Sequence, residues 1–280
     1  MQGDGVVFHE VLGFNPPDPA SQARDAGRRL DEHIDDTEHI VDSRPTRTGT
    51  VVAHAPYSTA PALFSAIASR HAGPAPLSVH LAESAEEVEF LHTGHGAFRD
   101  LLMDVGTWTP KWEVPRCGPV EYLRRHGYLR PGTLLVHGVH LTPEELELVR
   151  DSEAVVVTCP RSNGWVGGGV PPIARFYNAG VAVAIGTDSL ASTDSLNMFD
   201  ELAALRRMAP EVHAGLLLES ATRAGAEALG WGRAYGTLSP GRLARMVTVD
   251  LPASTGTCVE DVEEYLVSGV PTNGIRPYHP

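Results

Sequence analysis

Three short apolar runs, each reaching a residue with a reactive side chain, constrain the fold of this chain more than any other feature. Thr133–Leu141 reads TLLVHGVHL and delivers a histidine, and Leu77–Ser84 upstream reads LSVHLAES. Val181–Ser189 downstream reads VAVAIGTDS and delivers an aspartate. Parallel barrels present catalytic side chains in this way, each from the C-terminal end of a different strand. The pattern therefore predicts a parallel α/β architecture with a site at the strand ends.

Strands and helices alternate along the rest of the chain. Apolar runs predict six buried parallel strands, near residues 5, 50, 77, 133, 154 and 181, with helical segments between them. A closed (β/α)8 barrel has eight strands and about 250 residues. We therefore expect a TIM-type barrel in which strands one and two are missing and strands three to eight are present. A doubly wound open sheet is the alternative, although it would leave two long apolar edges.

Composition argues against several classes of function. The net charge is −13, whereas a protein that binds nucleic acid needs a basic face. No apolar run has the length of a membrane span, and the opening MQGDG does not resemble a signal peptide. Cys117, Cys159 and Cys258 lie far apart and form no zinc or redox motif, which indicates a reducing compartment. We expect a cytoplasmic protein that binds a small molecule.

Side chains suited to metal-assisted chemistry lie at the predicted strand ends. His80 and Glu83 form an H-x-x-E pair, in which the imidazole can bind a metal and the carboxylate can move protons. His54 and His137 each follow an apolar run, and Asp188 follows a strand without polar residues. The structural alternatives are a surface pair for His80 and Glu83, a hydrogen-bonded core histidine for His137 and a helix N-cap for Asp188. Four such strand ends together favour a catalytic site.

The motifs HAPYS, HLAES, LLVHGVHL, CPRSN and GTDS occur in this order, and as a set they resemble the metal-dependent amidohydrolase superfamily. The resemblance covers roughly residues 5–250 and is strongest to the branch of cytosine deaminase and triazine hydrolase, which includes adenosylhomocysteine and aminofutalosine deaminases. It implies a (β/α)8 barrel with a small β-sandwich built from both chain ends. We accordingly assign residues 1–232 to an incomplete barrel and residues 233–280 to C-terminal β-sandwich strands and a tail.

The resemblance also implies a role for each candidate residue. His80 would be a metal ligand, and Asp188 would be both a metal ligand and a proton acceptor. Glu83 would carry protons between the attacking water and the leaving nitrogen, and His137 would bind or polarise the reacting centre. The residues that would contact substrate are His54, Tyr57, Trp108, Arg161, Ser162 and Asn163.

Several neighbouring residues have two interpretations. Arg161, in the predicted loop after strand seven, could equally be a surface arginine. Trp108 and Trp112 lie in a long loop, where they could form an aromatic lid or pack beneath the loop. Glu10 is expected to contact the substrate or a metal ligand and not the metal, and His140 is expected to belong to the start of the next helix.

One motif of the superfamily is absent from the sequence. Its first strand normally carries an H-x-H pair that supplies two metal ligands, and no H-x-H occurs in these 280 residues. We expect that an N-terminal segment is missing. Its length would be on the order of 100 residues, since two of the eight strand–helix units of a barrel are absent. His80 and Asp188 alone would bind metal weakly, because catalytic zinc sites usually have three protein ligands. Little activity is therefore expected of the chain as given.

A single lysine limits the metal count. Two-metal members of the superfamily often bridge their ions with a carboxylated lysine on a barrel strand. Lys111 is the one lysine of this chain, and it lies in a loop that contains Pro and Trp. The resemblance therefore implies one divalent ion, zinc or iron.

The function that the resemblance implies is hydrolysis of a C–N bond other than a peptide bond. Ammonia would leave an aminated heterocycle, such as a nucleobase, a nucleoside or a triazine-like compound, after attack by metal-activated water. Two alternatives stay open. The chain could be a dechlorinating or cyclic-amide hydrolase of the same fold, or an inactive truncated barrel that acts as a binding subunit. An exposed barrel edge would favour a homodimer.

Overall fold

The computed structural model describes residues 5–35, 40–41, 44–45, 47–256 and 258–278. The chain divides into two units: Met1–Val136 with His140–Ala154, and His137–Val139 with Val155–Pro280. Within the described ranges, no helix has both the length and the apolar character needed to cross a membrane. The predicted division at residue 232 stays a prediction.

Strands and helices alternate in the first unit, as its apolar pattern indicates. The strands are β1 Gly5–Val11, β2 Ile40–Val41, β3 Arg44–Pro45, β4 Arg47–Ala53, β5 Ser78–Leu81 and β6 Leu134–His137. The last residue of β6 belongs to the second unit. The helices are α1 Pro19–Asp35, α2 Pro61–Arg70, α3 Ala85–Thr93, α4 Ala97–Asp104, α5 Pro119–Arg125 and α6 Pro143–Asp151. The predicted strands near residues 5, 50, 77 and 133 are therefore confirmed.

Parallel pairing aligns the strand ends of the first unit. β1 and β4 are parallel neighbours, with Glu10 opposite Val52 near their C-terminal ends. Helix α1 packs against β4 through an apolar face, in which Ala23, Ala26 and Leu30 are buried at helical spacing. The amphipathic helix α1 thus packs on the strands, while polar side chains such as Glu10 lie at their C-terminal ends.

A buried tyrosine hydroxyl links β4 to β5. Tyr128 is fully buried, and its hydroxyl accepts a hydrogen bond from the N–H of Ala53 (2.9 Å) and donates one to the carbonyl of Ser78 (2.9 Å). Next to this link, the N–H of His80 donates to the carbonyl of His54 across 2.8 Å. Buried backbone groups need such partners, so the hydroxyl fixes the two strands just before each delivers its histidine.

The second unit contains two parallel strands, several helices and a short antiparallel ribbon. Strands β7 Val155–Thr158 and β8 Ala182–Ile185 pair in parallel, which confirms the predicted strands near residues 154 and 181. The other elements are α7 Pro160–Trp165, α8 Ile173–Asn178, α9 Met198–Met208, α10 Ala214–Ala221, α11 Arg223–Ala228, β9 Val247–Val249, α12 Val259–Val267, a 3-10 turn Thr272–Gly274 and β10 Ile275–Pro277. β9 and β10 pair antiparallel.

The CPRSN segment differs from the sequence prediction, which placed it in a loop. The structure has helix α7 there, with Cys159 as its N-cap. Pro160 occupies the first helical position, where proline is favoured because no N–H is needed and its φ is already helical. The helix brings the side chains of Arg161, Ser162 and Asn163 to the end of β7.

Candidate active site

The first unit brings two histidines and a glutamate together at the C-terminal ends of its strands. Glu10 is the penultimate residue of β1, His54 directly follows β4, and His80 lies in β5. The ring centroids of His54 and His80 are 5.1 Å apart, and Nε2 of His80 lies 3.3 Å from Oε1 of Glu10. One ligand atom from each residue lies within 4.8 Å of the other two. We call these three residues the strand-end cluster.

A serine orients the ring of His54. Nδ1 of His54 lies 2.6 Å from Oγ of Ser58, and Oγ of Ser58 is within 3.2 Å of the carbonyl of Ala55. When the hydroxyl donates to this carbonyl, it accepts from Nδ1–H of His54, and the lone pair of the ring is then on Nε2. Histidines that bind metals commonly have their second nitrogen held in this way.

The donor atoms of the strand-end cluster are of the kind that zinc binds, and one of their distances matches the spacing of zinc ligands. Zinc takes imidazole nitrogen and carboxylate oxygen at about 2.0–2.2 Å in a tetrahedron, so two ligand atoms lie roughly 3.3–3.6 Å apart. The 3.3 Å between His80 Nε2 and Glu10 Oε1 matches that spacing. The sequence predicts Glu10 as a contact of a ligand or of substrate, and its position beside His80 makes it a candidate ligand as well.

Glu83 follows β5 at a turn that contains an unusual backbone conformation. Ala82 has a φ of 51°, in the left-handed region that residues with a Cβ rarely adopt. The buried carboxylate of Glu87 accepts hydrogen bonds from the N–H of Ala82 (3.0 Å) and of Glu83 (3.2 Å). Burial raises the pKa of Glu87 to about 8, although these two N–H groups act to lower it. The sequence signal is Ser84-x-x-Glu87, the pattern of a capping box.

Aromatic side chains border the strand-end cluster. The ring of Tyr57 meets His54 edge-on at 5.7 Å and stacks on Phe98 at 3.7 Å. Burial, the largest effect, and the charges of Glu87, Glu83 and Glu10 raise the pKa of Tyr57, so its hydroxyl stays protonated at neutral pH. A protonated phenol can donate as well as accept a hydrogen bond. The substrate role of Tyr57 stays a prediction.

The two tryptophans of the long loop differ in their surroundings. Trp112 belongs to a buried core with Phe14 and Phe90, and it stacks on Phe90 at 4.6 Å. Trp108 is only partly buried; it stacks on Phe14 at 5.9 Å, and the guanidinium of Arg99 lies 5.3 Å from its ring centroid. Packing beneath the loop therefore accounts for Trp112. Trp108 stays a predicted substrate contact.

In the second unit, His137 is a buried side chain with a defined partner. It ends β6 with a φ of 78°, and its side chain is 0% exposed. Its Nδ1 lies 2.8 Å from Oδ1 of Asn163, which is also fully buried. The structure thus brings together two of the predicted site residues, one at the end of β6 and one in α7.

Asp188 lies in a hydroxyl-lined position after β8. Its Oδ2 atom accepts hydrogen bonds from Ser162 (2.6 Å) and Ser192 (2.9 Å), and its φ is 60°. Burial alone would raise the pKa of Asp188, but the two hydroxyls and the nearby His137 lower it. The next helix, α9, is capped by Asn197, so the alternative of a helix N-cap at Asp188 is wrong.

Arg161 is anchored by carboxylates of its own unit. Its guanidinium pairs with Asp194 and Glu201, and its backbone N–H donates to Glu201 across 3.2 Å. Glu201 is buried, and burial raises its pKa to about 7 against the opposing effect of Arg161. The side chain of Arg161 is only 20% exposed, so it is not a free surface arginine. Its contact with substrate stays a prediction.

The sequence model of the amidohydrolase family matches residues 6–276. The aminodeoxyfutalosine deaminase of Deinococcus radiodurans is 33% identical over 234 residues, 81% of this chain and 54% of that protein. The 5-methylthioadenosine/S-adenosylhomocysteine deaminase of Syntrophobacter fumaroxidans is 35% identical over 261 residues, 89% of this chain and 53% of that protein. The chain therefore spans about half the length of the curated relatives it matches.

A solved structure supports the same relationship. The structure of an adenosine deaminase from Xanthomonas campestris with bound zinc superposes with a TM-score of 0.74 and 26% identity. The match covers 96% of this chain and 58% of that one. The resemblance predicted from the strand-end motifs is confirmed, and so is the α/β class with parallel strand pairs.

Proposed function

Because the chain belongs to the amidohydrolase family, we propose that it forms part of a metal-dependent hydrolase that deaminates an adenine-type heterocycle. This substrate class is supported by the names of similar proteins: an aminodeoxyfutalosine deaminase, a 5-methylthioadenosine/S-adenosylhomocysteine deaminase and an adenosine deaminase. The observation that carries the proposal is the strand-end cluster of Glu10, His54 and His80. In the proposed reaction a water oxygen bonds to the ring carbon, the C–N bond breaks, and ammonia leaves.

The proposed metal is a divalent ion, zinc or iron. His80 is the ligand predicted from the sequence, and Glu10 and His54 offer further donor atoms within 4.8 Å. We keep Asp188 as the second predicted ligand, with its proton-accepting role. When bound, such an ion lowers the pKa of water and so supplies a nucleophile at neutral pH.

The protein side chains have separate proposed tasks. Glu83 moves a proton from water to the leaving nitrogen, which a carboxylate can do at a partly exposed position. His137 polarises the reacting centre, with its ring held by Asn163. Substrate contacts are proposed for His54, Tyr57, Trp108, Arg161, Ser162 and Asn163.

Ammonia release tests the function. The purified chain with saturating zinc is offered adenosine, 5-methylthioadenosine, S-adenosylhomocysteine and aminodeoxyfutalosine. Because little activity is predicted for this chain, we expect slow release of ammonia from at least one of them, and we expect Glu83→Gln to lower that rate by a further factor of about 100 or more. The matched control is Glu86→Gln, an exposed residue of helix α3. Chloride release from a chlorinated triazine without ammonia would favour the dechlorinating hydrolase instead, and ligand binding without turnover would favour the binding subunit.

A further inference from the structure

The turn between His80 and Glu83 needs something to hold it. Ala82, between them, has a φ of 51°, which costs an L-residue with a Cβ roughly 1–2 kcal/mol. Its carbonyl accepts a hydrogen bond from the N–H of His140 across 2.9 Å. That bond holds the carbonyl of the Ala82–Glu83 peptide unit. The direction of the chain at Glu83 has to be fixed by another contact.

Glu87 supplies that contact. Its Oε1 accepts from the N–H of Ala82 at 3.0 Å, and its Oε2 accepts from the N–H of Glu83 at 3.2 Å. The side chain is 0% exposed, so water does not replace these bonds readily. A single carboxylate therefore ties two successive peptide units of the turn to the first turn of helix α3.

Another helix of the same unit shows what a glutamate at this position ordinarily does. Glu145 is the third residue of α6, and its Oε2 accepts from the N–H of the N-cap Thr142 across 3.1 Å, which completes a capping box, while its Oε1 accepts from the N–H of Val120 across 3.2 Å. Glu87 is likewise the third residue of α3, and its N–H donates to the N-cap Ser84 across 3.2 Å. The carboxylate of Glu87 nevertheless reaches back past the cap, to the two residues that precede it.

We infer that Glu87 is a positioning residue, which holds the left-handed turn at Ala82 and thereby sets the direction of Glu83 relative to His80. The inference rests on the proposed function, because it gives Glu87 a role in the reaction only through the proton-transfer role of Glu83. Its structural content, the clamping of two amides, stands on the contacts alone.

The variant Glu87→Gln tests the inference, and Glu145→Gln is the matched control. Glutamine keeps the size of the side chain but replaces one of the two accepting oxygens with an NH2 group, which only donates, so one of the two backbone N–H groups loses its acceptor. Hydrogen exchange is measured at the amides of Ala82 and Glu83. We expect exchange about tenfold faster, or more, in Glu87→Gln, since a buried N–H that loses its hydrogen-bond partner costs about 1–3 kcal/mol. In Glu145→Gln these two amides should be unaffected.

A kinetic measurement separates positioning from general stability. If the deaminase is active, Glu87→Gln should lower kcat about tenfold with KM little changed, because a misdirected Glu83 affects the transition state and not substrate binding. Glu145→Gln should leave both constants near those of the wild type. Equal exchange rates at Ala82 and Glu83 in Glu87→Gln and the wild type would overturn the inference, and so would equal kinetic losses in the two variants.

If Glu87→Gln folds poorly, a second substitution, Ala82→Gly, still tests the inference. Glycine adopts a positive φ without steric cost, so Ala82→Gly should restore folding to the Glu87→Gln chain if Glu87 holds this turn. No restoration by Ala82→Gly would count against the inference. If the wild type releases no ammonia from any substrate, the proposed function fails, whereas the exchange measurement still decides the role of Glu87.

Discussion

Asn163 Oδ1 and His137 Nδ1 lie 2.8 Å apart, with both side chains fully buried. An amide oxygen can only accept a hydrogen bond, so Nδ1 of His137 must carry the hydrogen. The pair therefore selects one tautomer of the imidazole. Nε2 of His137 then carries the lone pair of the neutral ring.

The substitution Asn163→Asp should raise the pKa of His137, because a carboxylate beside the ring favours the imidazolium form. An NMR titration of the His137 ring measures the shift. Asn197→Asp, at the N-cap of α9, is the control and should leave that pKa unchanged. An identical titration of His137 in Asn163→Asp and wild type would show that Asn163 does not govern the ring.

The substitution Tyr128→Phe should destabilise the protein by about 2–4 kcal/mol, because it leaves the buried N–H of Ala53 and carbonyl of Ser78 without their partner. Tyr122→Phe is the matched control. Tyr122 is equally buried and also meets Phe64 edge-on, but among the described residues its hydroxyl has no hydrogen-bond partner. In urea unfolding, the free energy of unfolding of Tyr122→Phe should therefore be close to that of the wild type or higher. Equal losses in the two variants would contradict this.

The pH dependence of stability should include a contribution from Glu87. Burial raises the pKa of its carboxyl from 4.5 to about 8, so the folded state holds the proton more tightly than the unfolded state. That contribution is complete below the unfolded pKa and is lost as the pH rises through the folded pKa. The free energy of unfolding of wild type relative to Glu87→Gln should fall by at most about 1.4 kcal/mol per pH unit between pH 5 and pH 8. The free energy of unfolding is measured by urea unfolding at each pH. The same pH dependence for wild type and Glu87→Gln over this range would refute the prediction.

Zinc affinity should depend on the strand-end cluster. His80→Ala should weaken binding by about 100-fold, and Glu10→Gln by about tenfold or more, because each removes a candidate ligand from the group of three. Competition with a chromophoric chelator measures the affinity. His71→Ala is the control, since His71 follows helix α2 and its Nδ1 contacts Thr50 (3.3 Å). An unchanged affinity in His80→Ala would place the metal elsewhere.

The sequence predicts the strands well and their side-chain partners less well. A continuous apolar run such as that around Val181–Ser189 indicates a buried parallel strand from local composition alone, and β8 lies there. Partners far apart in sequence carry no such local signal. Arg161 pairs with Asp194 and Glu201, more than thirty residues away, which the motif CPRSN does not reveal.

Turn geometry limits the prediction in a second way. The capping-box pattern at Ser84 correctly indicates the start of helix α3. Whether the carboxylate of Glu87 reaches the cap or the residues before it depends on the φ of Ala82, a conformation that no sequence rule assigns to alanine. The contact between Glu10 and His80 is likewise absent from the sequence signal, because it joins two strands that are far apart along the chain.

Left-handed backbone at non-glycine residues has a consequence for how this protein can change. Ala82, His137 and Asp188 all have a positive φ, and each lies within or directly after a strand-end motif. Such conformations persist only where the surrounding structure enforces them, at a cost of roughly 1–3 kcal/mol each. Selection for heat resistance alone would therefore favour glycine at a position such as Ala82. Selection for catalysis should instead retain alanine at this position. Relatives selected mainly for stability would then carry glycine where relatives selected for activity carry alanine.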